Sequence, residues 1–374
     1  MAATLKLGDR KWATKEGSLL AYNDENNNYK PLPFDFTRAS SATRVNKQGL
    51  IEVVGQNTPR IDYTNSSNGV FLLEKAATNT LPYSSDFSQY TKINCTVLSN
   101  QGISPDGTLN ADLMTATANN ASLEDIVGSA GVAVTQSIYV KSANGGNVSG
   151  QIDFAGANIV GFIANNEWQR IESTLTNLAV TPRLRVRITN SGGELLVWGA
   201  QLETGSYATS YIPTQGSAVT RIVDACSQTP PSGIIGQTEG VMFVDFNFTG
   251  GYDTSGIIPI VIGSGTNYAY IFINLSGTLN CDFFDSNVLQ ARLTTNIGIS
   301  GRKKIAFAYK QNDFVAYMNG VQIGTDTNGT VGAMGILKVG SYYTGGYSTI
   351  GGVNQSQLYN TRLSNAELAT LTTI

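Results

Sequence analysis

The chain has 374 residues, no histidine, and a formal charge of −3 from 24 Lys and Arg against 27 Asp and Glu. This near balance, with only 14% charged residues, argues against nucleic acid as a partner. The missing histidine excludes a Ser–His–Asp triad, a Cys–His dyad, His-ligated zinc and a histidine pH switch together. Forty glycines, 17 tyrosines and 14 phenylalanines among many Thr, Val, Asn and Ser are the vocabulary of short strands and turns, and 41% hydrophobic residues suffice for packed cores.

Residues 1–80 carry more basic than acidic side chains, with an Asn-rich turn at Asn26-Asn27-Asn28. Strands are predicted at 49–54 and 69–73, and the rest is polar and irregular. Such a segment has little core of its own and is expected to fold against a neighbouring domain or another subunit. Met1–Lys6 lacks the apolar region of a signal peptide, and no apolar run approaches the ~20 residues of a membrane span. Synthesis in a cytoplasm, without ordinary secretion and without a membrane partner, is the expectation.

From 81 to 215 the balance turns acidic, and strands are predicted at 132–140, 168–175, 184–188 and 194–202. Leu184-Arg185-Val186-Arg187-Ile188 alternates apolar and cationic residues, as a half-buried strand does. Strands at this spacing with almost no helical periodicity suggest an antiparallel sandwich of jelly-roll type. Pro230, Pro231, Gly233 and Gly236 mark 216–236 as a linker. Beyond it, 241–248 places Met242, Val244, Phe246 and Phe248 opposite Phe243, Asp245 and Asn247. Further strands are predicted at 268–274, 304–310 and 314–318, and Asn319-Gly320 is a two-residue hairpin turn before Val321–Gly324. Ser364-Asn365-Ala366-Glu367 is a capping box that starts a short helix. The isolated, odd-numbered Cys95, Cys226 and Cys281 indicate neither a disulfide framework nor a zinc knuckle, and read as buried thiols.

Two segments resemble known families. Arg302–Tyr309 followed by Phe314–Val321 resembles the Tyr-x-Asn-Gly hairpin of concanavalin A-like, laminin-G-like sandwich domains, and Leu337–Gly340 with Gly351–Ser364 resembles their closing strand and capped helix. Trp198–Tyr207, continuing through Thr209–Thr214, resembles the closing strand of carbohydrate-binding-module-like jelly rolls common in bacteriophage structural proteins. Leu81–Phe87, Ser104–Thr108 and Phe36–Val45 resemble the segments that open or precede that module. The resemblance implies a bacteriophage virion protein, all-β: a jelly-roll sandwich followed by a concanavalin A-like sandwich, with an extended N-terminal attachment segment. The expected domains are 1–80 for virion attachment and oligomerisation, 81–215 for the jelly roll, 216–236 for the linker and 237–374 for the concanavalin A-like domain.

The function so implied is a head or tail fibre that projects from the virion, is a homotrimer, contacts other virion proteins through its N-terminal segment and binds bacterial surface glycans. A non-adhesive decoration protein and a glycan depolymerase are the alternatives. Glycoside hydrolysis needs two carboxylates flanking the bond. Asp282 and Asp285 fall on opposite faces of a strand, and Glu367 is spoken for as a helix cap, so no enzyme is expected. Sugar binding needs aromatic platforms beside polar hydrogen-bonding groups. Tyr252 and Asp253 in one Gly-rich loop, and Tyr342, Tyr343 and Tyr347 in another, are the glycan-binding candidates, with packing on their own sandwich or on a neighbour as the other reading. Trp168 and Trp198 read as core. Trp12, Arg38 and Arg44 are the candidates for the attachment or oligomer interface, and Arg183, Arg185 and Arg187 read as a solvated face or an intersubunit salt-bridge row. No cofactor is expected; Asp side chains and loop carbonyls leave room for a structural calcium ion, without a ligand set to name.

Overall fold

The computed structural model describes residues 2–23, 28–64, 66–127, 131–176, 179–230, 233–248, 256–298, 300–340 and 351–374, with the backbone alone at 23, 28–32 and 264. The chain forms two compact units that interleave along the sequence. A terminal unit takes Met1–Ser41, Val54–Lys75 and Ile222–Ile374; a central unit takes Ala42–Val53 and Ala76–Arg221. Both are built almost wholly of antiparallel strands.

The central unit is a sandwich of two five-stranded sheets. One runs in the order Thr91–Ile93, Ala121–Ile126, Arg183–Ile188, Val148–Phe154, Ala157–Ala164. The other runs Cys95–Ile103, Leu109–Ala116, Glu194–Thr204, Val134–Ser142, Gln169–Leu175. Side chains alternate across a strand. Leu184, Val186 and Ile188 therefore enter the core with Leu123, Ile152, Phe154, Ile138 and Val197, while the three intervening arginines face outward. A strand pair, Ala42–Val45 with Ile51–Val54, comes from the N-terminal part of the chain. Its Ile51 packs on Trp198, Tyr211 and Ala111, outside the main core.

The terminal unit is a second sandwich. One layer pairs Val321–Asp326, Asp313–Met318, Gly301–Lys310, Glu239–Phe248 and Gly351–Tyr359 in that order, with Leu5–Gly8 added beside Gly351–Tyr359. The other pairs Ala225–Gln228, Ile336–Val339, Ile257–Ser264, Asn267–Ile273, Thr278–Asp285 and Val288–Asn296. Ser18–Asn23 and Asn28–Thr37 join the two layers at one edge. Phe283 of the second layer meets Tyr309 and Phe314 of the first at ring-centroid distances of 5.3 and 5.4 Å. As the alternation predicts, Met242, Val244, Phe246 and Phe248 face this core.

On the opposite face of the first layer, Val241, Phe243, Ala306, Ala308 and Val315 pack beneath Leu368 of the helix Asn365–Thr372. The capping box forms: Ser364 Oγ accepts from the Glu367 N–H, and Glu367 accepts from the Ser364 N–H at 2.7 Å. Asn319 and Gly320 take φ of 49° and 84°, the left-handed pair that a two-residue hairpin requires.

The structure distributes two stretches differently from the expected domains. Residues 1–80 are not one extended segment: Leu5, Leu7, Leu19, Phe34, Phe36 and Phe71 lie in the core of the terminal unit, and residues 42–53 belong to the central one. Nor is 216–236 a plain linker. Val219–Arg221 pairs with Ala77–Asn79, Ala225–Gln228 pairs on both sides, and Asp224 and Cys226 are buried. Their pairing partners lie more than a hundred residues away, which composition within the stretch does not reveal.

Candidate functional site

The outer face of the terminal unit's second layer gathers aromatic and hydrogen-bonding side chains in cross-strand rows. Tyr268, Tyr270 and Phe272 alternate with the core residues Ala269, Ile271 and Ile273, so all three share this face. Across from them on Thr278–Asp285 stand Phe284, Asp282 and Asn280, and opposite Asp282 and Asn280 on the next strand stand Arg292 and Thr294. The rings form a ladder. Tyr268 stacks on Phe284 at 4.5 Å, Tyr270 lies 6.0 Å from Phe284 and 6.1 Å from Tyr268, all within 30° of parallel, and Phe272 stands edge-on to Tyr270 at 6.3 Å.

Asp282 sits at the centre with its carboxylate buried. Arg292 grips it with both arms of its fork, Nε to Oδ1 at 2.9 Å and Nη2 to Oδ2 at 2.6 Å, and the Tyr270 hydroxyl donates to Oδ2 at 2.8 Å. The hydrogen bonds to Asp282 hold the Arg292 guanidinium above its ordinary pKa, so it stays cationic at every working pH. Half of the Arg292 side chain remains exposed (49%), which leaves donors facing solvent. Among the described residues, Asn280 and Thr294 make no side-chain hydrogen bond within the protein. A fixed cation, an amide and a hydroxyl beside stacked rings are the groups that hold a sugar ring by its apolar face and its hydroxyls. Local sequence could have found this site, because Tyr268-x-Tyr270-x-Phe272 and Asn280-x-Asp282-x-Phe284 alternate strictly; what it lacks is any sign of which face is open.

The sequence-predicted residues fall elsewhere. Tyr252, Asp253, Tyr342, Tyr343 and Tyr347 lie outside the described residues. Trp12 is half-buried and packs on Phe71, ring centroids 6.3 Å apart, inside the terminal unit. Arg38 is a correction to the expected interface: it is 1% exposed. Its guanidinium donates to Asp224 at 3.1 Å, to the Gly55 carbonyl at 2.7 Å and to the Ser40 carbonyl at 3.0 Å. Asp224 also takes Arg60, which pairs with Glu74 at 2.8 Å, so four charges drawn from 186 residues of chain neutralise one another in the interior. Burial lowers the Arg60 pKa, but the charges of Asp224 and Glu74 more than reverse this and hold it above the ordinary value. Arg44 pairs with Glu52 at 2.6 Å across the small strand pair of the central unit.

Trp198 is buried, 4.5 Å from Tyr211 and 5.6 Å from Tyr139, and Trp168 donates its indole N–H to the Ile103 carbonyl at 3.1 Å. Cys226 and Cys281 are buried free thiols whose pKa burial pushes up, and half-buried Cys95 shifts the same way, which is the inert form of cysteine. Asp282 and Asp285 have separate partners, Asp285 accepting from Thr330 and Ser286. Among the described residues no three Cys, Asp or Glu side chains gather as a metal cage, and no helix is long and apolar enough to cross a membrane.

No family model and no curated protein matches the chain. Solved structures that resemble it include the carbohydrate-binding module (CBM40) of a Ruminococcus gnavus IT-sialidase bound to α2,3-sialyllactose, at 18% identity and TM-score 0.33 over 37% of this chain and 84% of that one. Mouse laminin α1 domains LG4-5 match at 8% identity and TM-score 0.28 over 79% and 91%. Trypanosoma rangeli sialidase matches at 9% identity and TM-score 0.30 over 95% of this chain, which spans 65% of that enzyme. All are partial superpositions, and the two-sandwich architecture is established by the strand pairings above.

Proposed function

We propose that the chain is a glycan-binding β-sandwich protein whose sugar site is the outer face presented by Tyr270, Phe272, Asn280, Phe284 and Arg292, with the buried Tyr268 and Asp282 as their supports. The observation that carries this reading is the stacked aromatic ladder beside an Arg fixed by a buried carboxylate. Ordered rings give a sugar its apolar contact without paying for rotamer loss on binding. The preset guanidinium supplies directional donors. Laminin-G-like sandwiches are the fold that the C-terminal hairpin and helix resemble in sequence.

Within this reading the protein is a bacteriophage virion fibre or appendage, a homotrimer joined to other virion proteins, which recognises bacterial surface glycans and carries out no catalysis. That assignment rests on the sequence resemblance over residues 34–215. Attachment through Trp12 or Arg38 is set aside, since both pack within the terminal unit.

The test is binding of the full-length chain to a panel of purified bacterial surface polysaccharides. Tyr270→Ala and Phe272→Ala are expected to weaken the best binder about tenfold each, equivalent to ~1.4 kcal/mol. Retention of wild-type affinity by both variants refutes the site. Light scattering of the same sample tests the trimer.

A further inference from the structure

The outward face of Arg183–Ile188 in the central unit is a second, chemically different surface. Antiparallel register sets out its rows: Ile93, Ser122, Arg187, Gln151 and Gly161 stand side by side on five adjacent strands, and Thr91, Glu124 and Arg185 form the next row. Three arginines face two carboxylates. Arg183 pairs with Glu124 at 3.1 Å and Arg185 makes a close pair with Asp153, which also accepts from the Gly156 N–H at 2.7 Å. Burial raises the Asp153 pKa, but the hydrogen bonds from Arg185 and Gly156 and the charges of Arg185 and Arg187 outweigh it, so this carboxyl stays ionised below the usual range.

Arg187 is the remaining cation. Among the described residues its one ion contact is to Asp153 at 3.5 Å, too long for a good hydrogen bond, so most of its five donors are uncommitted there. The side chain is nonetheless held, only 22% exposed, between Ser122 and Gln151. Beside Gln151 the edge strand Ala157–Ala164 carries Gly161, above which a Cβ would find nothing nearer than a carbonyl oxygen at 4.0 Å. Ile159 and Ile163 flank this notch on the same face and are 55% and 58% exposed. The surface therefore offers a planar donor fork, an amide and two apolar walls around a notch, while the Ser122 hydroxyl is buried and donates to Glu124.

We infer that this face binds an acidic saccharide, a sugar chain bearing carboxylate or sulfate groups, with Arg187 clamping the anionic group and the Gly161 notch seating the ring. A guanidinium fork matches such oxyanions in a bidentate way that an ammonium does not. The site is separate from the aromatic face of the terminal unit and does not depend on it.

The experiment is calorimetric titration of the full-length chain with polygalacturonate, dextran sulfate and neutral dextran, at low and at physiological salt. Wild type is expected to bind at least one acidic polymer, the one bound showing which anion is preferred, and to bind it more weakly as salt rises. Arg187→Gln removes the guanidinium but keeps a polar side chain and both close ion pairs, which do not involve it, and is expected to lower that affinity tenfold or more. Gly161→Phe fills the notch on an exposed edge strand without changing charge, and is expected to do the same. A loss of acidic-polymer binding in Tyr270→Ala that Arg187→Gln and Gly161→Phe do not share would place the polymer on the aromatic face of the terminal unit and overturn this site. Unchanged melting temperatures establish that the variants fold. Absence of binding to both acidic polymers, wild-type affinity in Arg187→Gln, or loss in Arg187→Gln without loss in Gly161→Phe each overturns the site; the last outcome means diffuse charge attraction alone.

Discussion

Individual charges differ in worth according to where they sit. Arg38, Arg60 and Asp224 have fully buried side chains, whereas Arg44 and Glu52 remain 24% and 36% exposed. Removing one partner from a buried network strands the others in low dielectric, so Asp224→Asn is expected to cost about 3–5 kcal/mol. Arg44→Ala should cost under about 1 kcal/mol, because water replaces the lost partner. Urea unfolding of the two variants measures the contrast, and similar shifts would contradict it. Two carboxylates of the central unit carry opposite pH signatures. Asp153 has a depressed folded pKa, so its contribution is present above the unfolded value, ~3.9, and is lost as pH falls. Glu203 is buried, and burial raises its pKa beyond what the hydrogen bonds from Thr209 and Gln201 and the charge of Arg170 take back. It therefore binds its proton more tightly when folded, and stability is lost as pH rises through its folded pKa. Glu203→Gln should remove that loss and Asp153→Asn should flatten the acid limb, both read from melting temperature against pH. The sequence displayed Arg183, Arg185 and Arg187 as a cationic row but hid their partners. Glu124 and Asp153 reach them through sheet register, which no local pattern records.

Elements were legible where a local rule sufficed. Alternation marked 184–188, and runs of apolar and aromatic residues marked 241–248 and 304–310; Asn319-Gly320 marked a hairpin; Ser364 and Glu367 marked the helix. That helix has eight residues, too short to persist in water by propensity, so its cap and the burial of Leu368 hold it against the sheet. Ser364→Ala is expected to cost ~1 kcal/mol and Ser364→Gly only a few tenths. Equal losses in the two variants, measured by thermal unfolding, would show that the cap contributes little. In the N-terminal segment the strands predicted at 49–54 and 69–73 are present, whereas Leu5–Gly8, Ser18–Asn23 and Asn28–Thr37 were missed for the converse reason. Leu5-x-Leu7, Leu19-x-Ala21 and Phe34-x-Phe36 do alternate, but each run is brief and set among charges, and its partner is distant: Leu5 pairs with Leu358. The candidate glycan face was readable as two alternating runs and unreadable as a site, because openness depends on what the rest of the chain covers. The helix covers the first layer of the terminal sandwich on its outer face, and the aromatic ladder occupies the corresponding face of the second.

At the scale of the whole molecule, interleaving makes the two ends of the chain one folding unit. The core of the terminal sandwich draws Leu5, Leu7, Leu19, Phe34, Phe36, Ile61, Phe71 and Leu73 from the first 75 residues. Burying eight such side chains is worth roughly 12–24 kcal/mol before conformational entropy is charged. This gross figure equals or exceeds the ~5–15 kcal/mol net stability of ordinary domains, so residues 222–374 cannot spare it. Strand pairing adds a second dependence, since Gly351–Tyr359 is bonded to Leu5–Gly8 and to Val70–Leu73, and without them loses partners along one side. The central unit depends on the early residues far less: of these it takes only 42–53, which lie outside its main core. A chain beginning at residue 76 should therefore keep the jelly-roll sandwich and lose the other. Peptide-resolved hydrogen exchange is the measurement. Glu194–Thr204 should stay protected as in the full-length chain, while Glu239–Phe248 and Gly351–Tyr359 should exchange as freely as unfolded peptide. Protection surviving in Gly351–Tyr359 would mean instead that the C-terminal residues carry a core sufficient to themselves, as the expected 237–374 domain would have had it, and that the N-terminal strands only decorate it.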